Sequence, residues 1–297
     1  MAGSSSPQVL VQLHGGLGNQ MFQAAAGIAL AARLGGALSF DLSRFRDKGL
    51  RAYALGQLPV EATIYEAGRT APIARLRAKA SKLFGGAGIK RPRGWQGRIH
   101  AEPHYHYDPA FAAITGSTLL AGFFQSPRYF AGFEPKIRAA FDAAAAMSPP
   151  ALATAALLAG DDSVALHIRR GDYANDARAR AVHGTLADAY YERALALVRQ
   201  AVPSARVFVF SDDPAVAAEK AQAWHGTCVA GASALEDLWL MSRCRHHIIA
   251  NSSFSWWSAW LDDRPSGLVV APRHWLSREK QITTHVGDLF PEGWILL

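Results

Sequence analysis

The sequence predicts an α/β protein with two domains. Short apolar segments alternate with longer segments whose apolar residues recur at helical spacing, a pattern typical of mostly parallel sheets covered by helices on both faces. A glycine-rich turn joins the first apolar segment to the first helical one, as in strand-turn-helix units that bind ligands. The 297 residues suffice for two domains, each with its own core.

The predicted elements follow this rhythm through both halves. In the first half we expect strands at 9–13, 37–40 and 119–124, and helices at 21–34 and 127–141. In the second half we expect strands at 164–168, 207–210, 247–250 and 268–271, and helices at 186–202, 214–224, 235–242 and 255–261.

A change of composition marks the predicted domain junction. The stretch 143–162 is rich in alanine and contains Pro149 and Pro150, which suits a helix interrupted between two domains. We therefore place the domains at 8–155 and 156–297.

The composition is that of a globular protein with a basic surface. Hydrophobic residues make up 50% of the chain and charged residues 19%, so a folded core is expected. The formal net charge of +7 has three explanations: a phosphorylated donor, an anionic lipid carrier, or a solvated surface. We do not expect nucleic acid. Cys228 and Cys244 allow no disulfide framework and lack the spacing of a zinc site, which suits a reducing cytoplasm.

We expect a cytoplasmic protein that can lie at the inner face of the membrane. The N-terminus has neither the basic start nor the apolar run of a secretion signal. No uninterrupted apolar stretch reaches the roughly 18 residues of a membrane span. The stretch 69–98 carries nine basic residues and a broken apolar stripe at helical spacing. It is either a solvated helix and loop or a surface for an anionic acceptor or membrane, and both interpretations stay open.

Glycines follow the first predicted strand, in the motif HGGLGNQMFQ that begins at His14. Glycine lets backbone N–H groups approach an anion, and a helix N-terminus favours negative charge, so Gly16, Gly18 and Asn19 are candidates for binding a diphosphate. The alternative is a tight turn with Asn19 as the helix N-cap, and the local pattern favours neither. The dinucleotide fingerprint is broken, because Met21 stands in place of its third glycine.

The motif HIRRGDY follows the strand that opens the second domain. Arg169 and Arg170 lie where doubly wound sheets bind ligands, and a guanidinium group matches phosphate oxygens bidentately. A structural alternative pairs either arginine with Asp172 or with another carboxylate. We favour a functional role, because unpaired buried charge is costly.

Carboxylates also end other predicted strands. Asp212 and Asp213 either bind a metal or cap the helix that begins at Pro214, and we expect capping. The chain contains no Asp-x-Asp pair, which commonly holds a divalent ion on a nucleotide sugar. We therefore expect no metal, and positive charge for a leaving diphosphate comes from arginine. Asp41 ends the second strand, where a polar residue commonly lies at the ligand-facing edge.

The segment NSSFSWWSAWL begins at Asn251. A strand that ends in Asn-Ser-Ser and turns into a helix presents hydroxyl and backbone N–H groups together, which suits phosphate. Trp256, Trp257 and Trp260 recur at helical spacing, and we expect at least two of them to pack in the core.

Together these motifs resemble the bacterial α-1,2-fucosyltransferases of glycosyltransferase family 11. The resemblance rests on HGGLGNQMFQ, GFFQSPRYF, HIRRGDY, FSDDP and IIANSSFSWWSAWL followed by APRHW, in this order over nearly the whole chain. It implies an inverting transferase, without metal or other cofactor, that moves L-fucose from GDP-β-L-fucose to the 2-hydroxyl of a terminal β-galactoside. It also implies two facing Rossmann-like domains of the GT-B type, with the active site in the cleft between them.

The resemblance also assigns roles, extended by a more distant likeness to α-1,6 and protein O-fucosyltransferases. The second domain binds GDP-fucose: His167 and Asp237 read the nucleoside, Arg169 and Arg170 hold the diphosphate, and Asn251, Ser252, Ser253 and Phe254 line the nucleotide pocket. The first domain is the acceptor side, and its residues Gly16, Gly18 and Asn19 approach the phosphates.

For catalysis we expect a single in-line displacement in which Arg169 and Arg170 stabilise the departing GDP. Asp172 is the first candidate for the base that activates the acceptor, and Asp41 the second. Two other classes of protein stay open as alternatives. A nicotinamide-dependent oxidoreductase is disfavoured by the broken glycine fingerprint, and a non-enzymatic sugar- or nucleic-acid-binding module does not require HIRRGDY.

Overall fold

The computed structural model describes residues 6–45, 52–65, 91–170, 181–182 and 184–297. The chain divides into two compact units. The first unit comprises the chain up to Asp142 together with His285–Phe290, and the second comprises Ala143–Thr284 and Pro291–Leu297. Near its C-terminus the chain thus returns to the first unit for one short segment.

A five-stranded parallel sheet forms the first unit. Its strands are β1 (Gln8–Gln12), β2 (Ala37–Asp41), β3 (Thr63–Ile64), β4 (Arg98–Ala101) and β5 (Thr118–Ala121). Its helices are α1 (Leu17–Leu34) and α2 (Glu134–Ala140). The strands lie in the order β3-β2-β1-β5-β4, so the direction of winding reverses between β1 and β5.

Helix α1 packs closely on this sheet because a glycine faces it. A Cβ added at Gly27 would lie 2.4 Å from Val11 Cγ2 and 2.9 Å from Leu38 Cδ1. The helix ends at Gly35, whose φ of 60° is the left-handed conformation common after a helix. Its position between β1 and β2 makes the first strand-helix-strand unit that the glycine motif predicted.

A six-stranded parallel sheet forms the second unit. Its strands are β6 (Ser163–Ile168), β7 (Arg206–Ser211), β8 (Thr227–Cys228), β9 (His246–Ile248), β10 (Val269–Ala271) and β11 (Ile295–Leu296). Its helices are α3 (Pro149–Leu158), α4 (Asp188–Ala201), α5 (Pro214–Ala223), α6 (Ala234–Met241), α7 (Ser253–Leu261) and α8 (Arg278–Thr283). The order β11-β10-β9-β6-β7-β8 is that of a doubly wound sheet whose winding reverses between β6 and β9.

The tryptophans of α7 pack in the core of this unit. Trp256 and Trp257 are fully buried, and Trp260 is nearly so. The rings of Trp256 and Trp260 stack at a centroid distance of 6.1 Å, and Trp257 meets them edge-on. The prediction that at least two of these tryptophans pack in the core is therefore confirmed, because all three do.

The α/β class with parallel sheets is confirmed, and each strand expected from the sequence is present. The strands that were not expected are the four sheet edges, β3, β4, β8 and β11. Each has only two to four residues, none of them fully buried, so the continuous apolar pattern of a buried strand is missing.

Two expected helices differ from the structure. The helix expected at 127–141 is divided into a 3-10 turn at Pro127–Phe130 and helix α2, because Gly132 between them has a φ of 83°. Pro149 and Pro150 do not interrupt a helix but begin α3, where a missing N–H costs nothing.

The two units divide earlier than the expected boundary near residue 155. Residues from Ala143 onward belong to the second unit, and helix α3 packs against α6 there. The carboxylate of Glu236 on α6 accepts the N–H of Ser148, the N-cap of α3, at 3.3 Å. The Ala-rich segment 143–162 therefore lies within the second unit, directly after the boundary.

Two predictions from the sequence concern membranes: the absence of a spanning helix and the basic stretch 69–98. No helix among the described ranges has both the length and the apolar character that crossing a bilayer requires. Most of the basic stretch 69–98, namely residues 69–90, lies outside the described residues.

Candidate functional site

Most of the predicted donor-binding residues lie at one edge of the second sheet. Strand β6 pairs with β7 on one side and with β9 on the other, and the carboxyl ends of all three strands lie at the same edge. Strand β6 leads into Arg169 and Arg170, β7 into Asp212, and β9 into Asn251. Doubly wound sheets bind ligands at this edge, where the winding reverses.

Asp212 joins the two arginines. Its Oδ2 lies 2.9 Å from Arg169 Nη1, and its Oδ1 accepts the backbone N–H of Arg170 at 2.8 Å. The contact follows from the strand register. Ile168 pairs with Ser211, so the residues that come next, Arg169 and Asp212, lie side by side. One carboxylate thus fixes a guanidinium group and the backbone where β6 ends. The structural alternative of a carboxylate partner is realised here by Asp212.

The side chain of Arg170 belongs to a second ionic cluster. Its Nη2 lies 3.5 Å from Asp188 Oδ1, and Lys220 Nζ lies 2.8 Å from Asp188 Oδ2. The side chains of Arg170 and Asp188 are 28% and 42% exposed, so solvent screens this pair and it contributes little to stability. A partly exposed guanidinium in a weak ion pair can exchange its carboxylate for a phosphate group.

A buried histidine adjoins the arginines. His167 is 3% exposed, and its ring lies 5.6 Å from the ring of Phe254. Burial, followed by the charge of Arg169, lowers the pKa of His167 to about 3, although Asp212 acts in the opposite direction. The imidazole is therefore neutral near pH 7. Its Nδ1 has no hydrogen-bond partner among the residues that the structure describes.

The Asn-Ser-Ser turn begins helix α7, as the sequence predicted. Ser252 is the N-cap, and its Oγ accepts the N–H of Phe254 at 3.3 Å. Asn251 is buried and donates from Nδ2 to the Trp275 carbonyl at 3.4 Å. The N-terminus of this nine-residue helix, including Ser253, therefore lies beside the end of β9 with its positive partial charge.

Asp237 lies in the first turn of α6. Its Oδ1 accepts the N–H of Gly231, while Glu236 accepts the N–H of Ala232. Burial raises the pKa of Asp237 to about 6, although the Gly231 amide opposes this shift. Both carboxylates therefore hold the loop before α6, and recognition of a nucleoside by Asp237 stays a prediction.

The glycine motif of the first unit differs in one detail from expectation. Gly16 is the N-cap of α1, so capping by Asn19 is wrong. Asn19 lies in the first turn of the helix, and its Oδ1 accepts a hydrogen bond from Gln125 Nε2 at 2.8 Å. Gly15 has a φ of 81°, a conformation that favours glycine. Phosphate binding by Gly16, Gly18 and Asn19 stays a prediction.

Asp41 is 3% exposed and holds the turn that follows β2. Its Oδ2 accepts hydrogen bonds from Gln12 Nε2 at 3.1 Å and from the Ser43 hydroxyl at 3.0 Å. Its Oδ1 accepts the Ser43 N–H at 2.9 Å. These contacts hold the turn, and a role of Asp41 as the acceptor base stays a prediction.

Two further carboxylates were predicted from the sequence to have a role, Asp213 and Asp172. Asp213 caps α5 by accepting the N–H groups of Ala215 and Val216, which confirms capping. Asp172 lies outside the described residues. Within the described ranges, no group of three or more His, Cys, Asp or Glu side chains could hold a metal ion.

The sequence did not identify three charged residues that lie near the carboxyl ends of the strands in the two sheets. Asp188 and Lys220 lie on α4 and α5, and only tertiary packing brings them to Arg170. Glu102 follows the unexpected edge strand β4 and is 1% exposed. Its Oε2 accepts the N–H groups of Phe123 at 2.8 Å and Phe124 at 2.9 Å. No spacing pattern in the sequence signals any of these contacts.

Comparison with known proteins defines the class of this chain as a glycosyltransferase. The chain belongs to glycosyl transferase family 11, whose family model matches residues 111–297. This confirms the family that the motifs indicated. It favours the transferase over the oxidoreductase and the non-enzymatic binding module.

Two curated relatives come from Escherichia coli. An alpha-1,2-colitosyltransferase is 30% identical over 294 residues, which cover 97% of this chain and 98% of that protein. The O-antigen biosynthesis glycosyltransferase WbnK is 36% identical over 140 residues, which cover 46% of this chain and 45% of that protein.

Solved structures that the chain matches include NodZ and POFUT1. Fucosyltransferase NodZ from Bradyrhizobium has a TM-score of 0.47 at 15% identity, covering 86% of this chain and 92% of that chain. POFUT1 in complex with GDP has a TM-score of 0.46 at 13% identity, covering 91% of this chain and 99% of that chain.

We predict that His167 does not gain a proton between about pH 5 and pH 8, because its pKa is lowered to about 3. The unfolded chain binds this proton near the ordinary value of 6.5. The stability that His167 contributes is therefore complete above about pH 6.5 and is lost as the pH falls towards about pH 3. Imidazole ¹⁵N chemical shifts, assigned with His167→Asn, measure the titration. A midpoint near the ordinary value contradicts the prediction.

Proposed function

We propose that the protein is an inverting galactoside α-1,2-fucosyltransferase that moves L-fucose from GDP-β-L-fucose to the 2-hydroxyl of a terminal β-galactoside. Three observations support this proposal. The chain belongs to glycosyl transferase family 11. A relative aligned over 97% of the chain carries the α-1,2 linkage in its name. The five motifs resemble those of α-1,2-fucosyltransferases in order and spacing.

The observation that carries the proposal is that Arg169 and Arg170 follow β6 and the N-terminus of α7 follows β9, the neighbouring strands between which the second sheet reverses. A diphosphate needs several hydrogen-bond donors with positive charge. Guanidinium groups and the N–H groups at a helix N-terminus both supply them. His167 and Phe254 add a neutral, partly apolar surface beside these donors, which suits a nucleoside base.

The proposed reaction is a single displacement with inversion. The acceptor oxygen O2 attacks C1 of fucose as the bond from C1 to the β-phosphate oxygen breaks. The electron pair of that bond leaves with GDP, and Arg169 and Arg170 stabilise the charge that develops there. The proton of the 2-hydroxyl passes to a base. Asp41 already accepts three hydrogen bonds, which favours Asp172 as the base.

We propose that this reaction needs neither a divalent metal nor another cofactor. The chain has no Asp-x-Asp pair. Positive charge for the leaving diphosphate comes instead from the guanidinium groups of Arg169 and Arg170.

GDP-colitose is a second candidate donor, because the relative of 30% identity is an alpha-1,2-colitosyltransferase. Colitose is fucose without its 3-hydroxyl, so the nucleoside and diphosphate contacts are shared between the two donors. A site built to hydrogen-bond a hydroxyl discriminates strongly against an analogue that lacks it. The ratio of the two kcat/KM values therefore identifies the donor.

The proposed architecture is the GT-B type, with the donor on the second unit and the acceptor on the first. In this arrangement Gly16, Gly18 and Asn19 approach the phosphates from the first unit, and the donor lies in a cleft between the units. We place the reaction in the cytoplasm, with the basic stretch 69–98 as a candidate contact with the inner membrane face.

We predict transfer of fucose to O2 of galactose when the purified protein is incubated with GDP-fucose and lactose, N-acetyllactosamine or a galactosyl-β-1,3-N-acetylhexosamine. NMR of the product identifies the linkage, and GDP-colitose is assayed in parallel. Excess EDTA leaves the rate unchanged. Fucose on another hydroxyl refutes the linkage, and a loss of activity that Mn²⁺ restores refutes metal independence.

We predict that Arg170→Ala lowers kcat by about 10²-fold or more, because it removes a charge that stabilises the departing GDP. Arg206→Ala is the matched control. Arg206 is also ion-paired, with Nη2 2.9 Å from Asp162 Oδ1, but it lies at the start of β7. Thermal melts of both variants exclude unfolding. Near-normal turnover by Arg170→Ala refutes the proposed role.

A further inference from the structure

The motif GFFQSPRYF follows β5, and the proposed donor site does not use it. Its first four residues, Gly122–Gln125, form a turn at the carboxyl end of β5, called here the 122–125 turn. Strand β5 pairs with β1, and the first sheet reverses its winding between these two strands. The 122–125 turn therefore lies at the position where a doubly wound sheet binds a ligand.

A buried carboxylate holds the 122–125 turn in place. Glu102 follows β4, the neighbour of β5, and its Oε2 accepts the N–H groups of both Phe123 and Phe124. Gly122 makes room for this contact, since an added Cβ would lie 2.4 Å from Glu102 Cβ and 2.7 Å from Oε2. Any other residue at position 122 forces the carboxylate away from the turn.

The two hydrogen bonds support an uncommon backbone conformation. Phe124 has a φ of 54°, in the left-handed region that residues other than glycine rarely adopt. Its ring is fully buried, whereas Phe123 remains partly exposed. Gln125 then donates to Asn19, which connects the turn to the glycine motif. The turn thus places the ring of Phe124 in the core and leaves the ring of Phe123 partly exposed.

Phe123 belongs to a group of three partly exposed rings. Its centroid lies 5.8 Å from that of Tyr105, with nearly parallel planes, and 4.6 Å from that of His14. Tyr105 follows β4 and His14 follows β1, so the three rings come from three neighbouring strand ends. We call His14, Tyr105 and Phe123 the aromatic platform.

We propose that the aromatic platform binds the galactose ring of the acceptor through the C–H face of the sugar, and that Glu102 positions it. The idea rests on the proposed function, because it requires a β-galactoside acceptor. In β-galactose the 4-hydroxyl is axial, so the C–H bonds at C3, C4 and C5 project from one face and make it apolar. Small-molecule sites commonly combine aromatic surfaces of this kind with a few polar groups.

Glu102 is a positioning residue rather than a catalytic one. It is 1% exposed, and the oxygen that holds the turn already accepts two N–H groups. Burial raises the pKa of Glu102 to about 7, although the amides of Phe124 and Phe123 oppose the shift. The neutral form is therefore accessible near physiological pH, and glutamine can replace glutamate while keeping an acceptor oxygen for both N–H groups.

We predict that Phe123→Ala raises the KM for lactose about tenfold or more, because it removes the central ring of the platform. The KM for GDP-fucose changes by less than about twofold, since Phe123 is not among the residues proposed to contact the donor. Phe133→Ala is the matched control, because Phe133 is another partly exposed phenylalanine of the first unit, at the start of α2. Its KM for lactose stays at the wild-type value.

The Glu102 variants separate positioning from proton transfer. Glu102→Ala raises the KM for lactose as Phe123→Ala does, whereas Glu102→Gln retains wild-type KM and kcat. A Glu102→Gln variant that folds but has lost kcat shows that Glu102 is the base and overturns the positioning role. If Glu102→Ala does not fold, Glu102→Gln, together with Phe123→Ala and its control Phe133→Ala, decides whether Glu102 positions the platform.

Saturation-transfer NMR with lactose provides a readout that does not depend on transfer. We expect contacts to the galactose C–H protons in the wild type and their loss in Phe123→Ala. Equal contacts in both proteins, or an unchanged KM for lactose, overturn the proposed subsite. Failure of the proposed function is a different result, in which the wild type binds lactose at the platform but transfers no fucose from GDP-fucose.

Discussion

Parallel pairing is the constraint on which both units depend. In a parallel sheet all strands end at the same edge, so the residues that follow different strands meet there however far apart they lie in sequence. Arg170 and Asp212 are 42 residues apart, yet their contact follows directly from the register of β6 and β7. Each sheet also reverses its winding once, between β1 and β5 or between β6 and β9. Each unit therefore has one edge position suited to a ligand.

The charges at the second edge are arranged in a way that suits an exchangeable anion. Asp212 holds Arg169 and the backbone of Arg170, so the end of β6 is fixed before any ligand arrives. Among the residues that the structure describes, the side chain of Arg170 is held only by a long, partly exposed contact with Asp188. A phosphate group can replace that contact without leaving a buried charge unpaired. His167 stays neutral beside these groups because burial and Arg169 both oppose its protonation.

The parts of the fold that the sequence predicts are those with a strong local pattern. Buried strands such as β6 are mostly apolar, and helix α7 follows from its Asn-Ser-Ser cap and its tryptophans. The four edge strands lack this pattern, since they are short and none of their residues is fully buried. Gly132, whose left-handed conformation divides one expected helix, gives no comparable signal, because a single glycine is also tolerated inside a helix.

The candidate site shows the same limit. A polar motif directly after an apolar strand predicts that Arg169 and Arg170 lie at the ligand edge, because the carboxyl end of a strand in a doubly wound sheet lies at that edge. The partners of these arginines come from other strands and helices, so only the folded chain identifies Asp212 and Asp188. Glu102 is a further example, since its role depends on the absence of a side chain at Gly122. Tertiary packing, rather than local sequence, assembles both groups.

Binding of a nucleoside diphosphate at the reversal of the second sheet is tested most directly by hydrogen–deuterium exchange with and without GDP. We expect GDP to slow exchange in peptides that cover 167–170 and 251–255, and to leave the edge strand β11 unchanged. No change at saturating GDP, or protection confined to the first sheet, would contradict this location of the donor site.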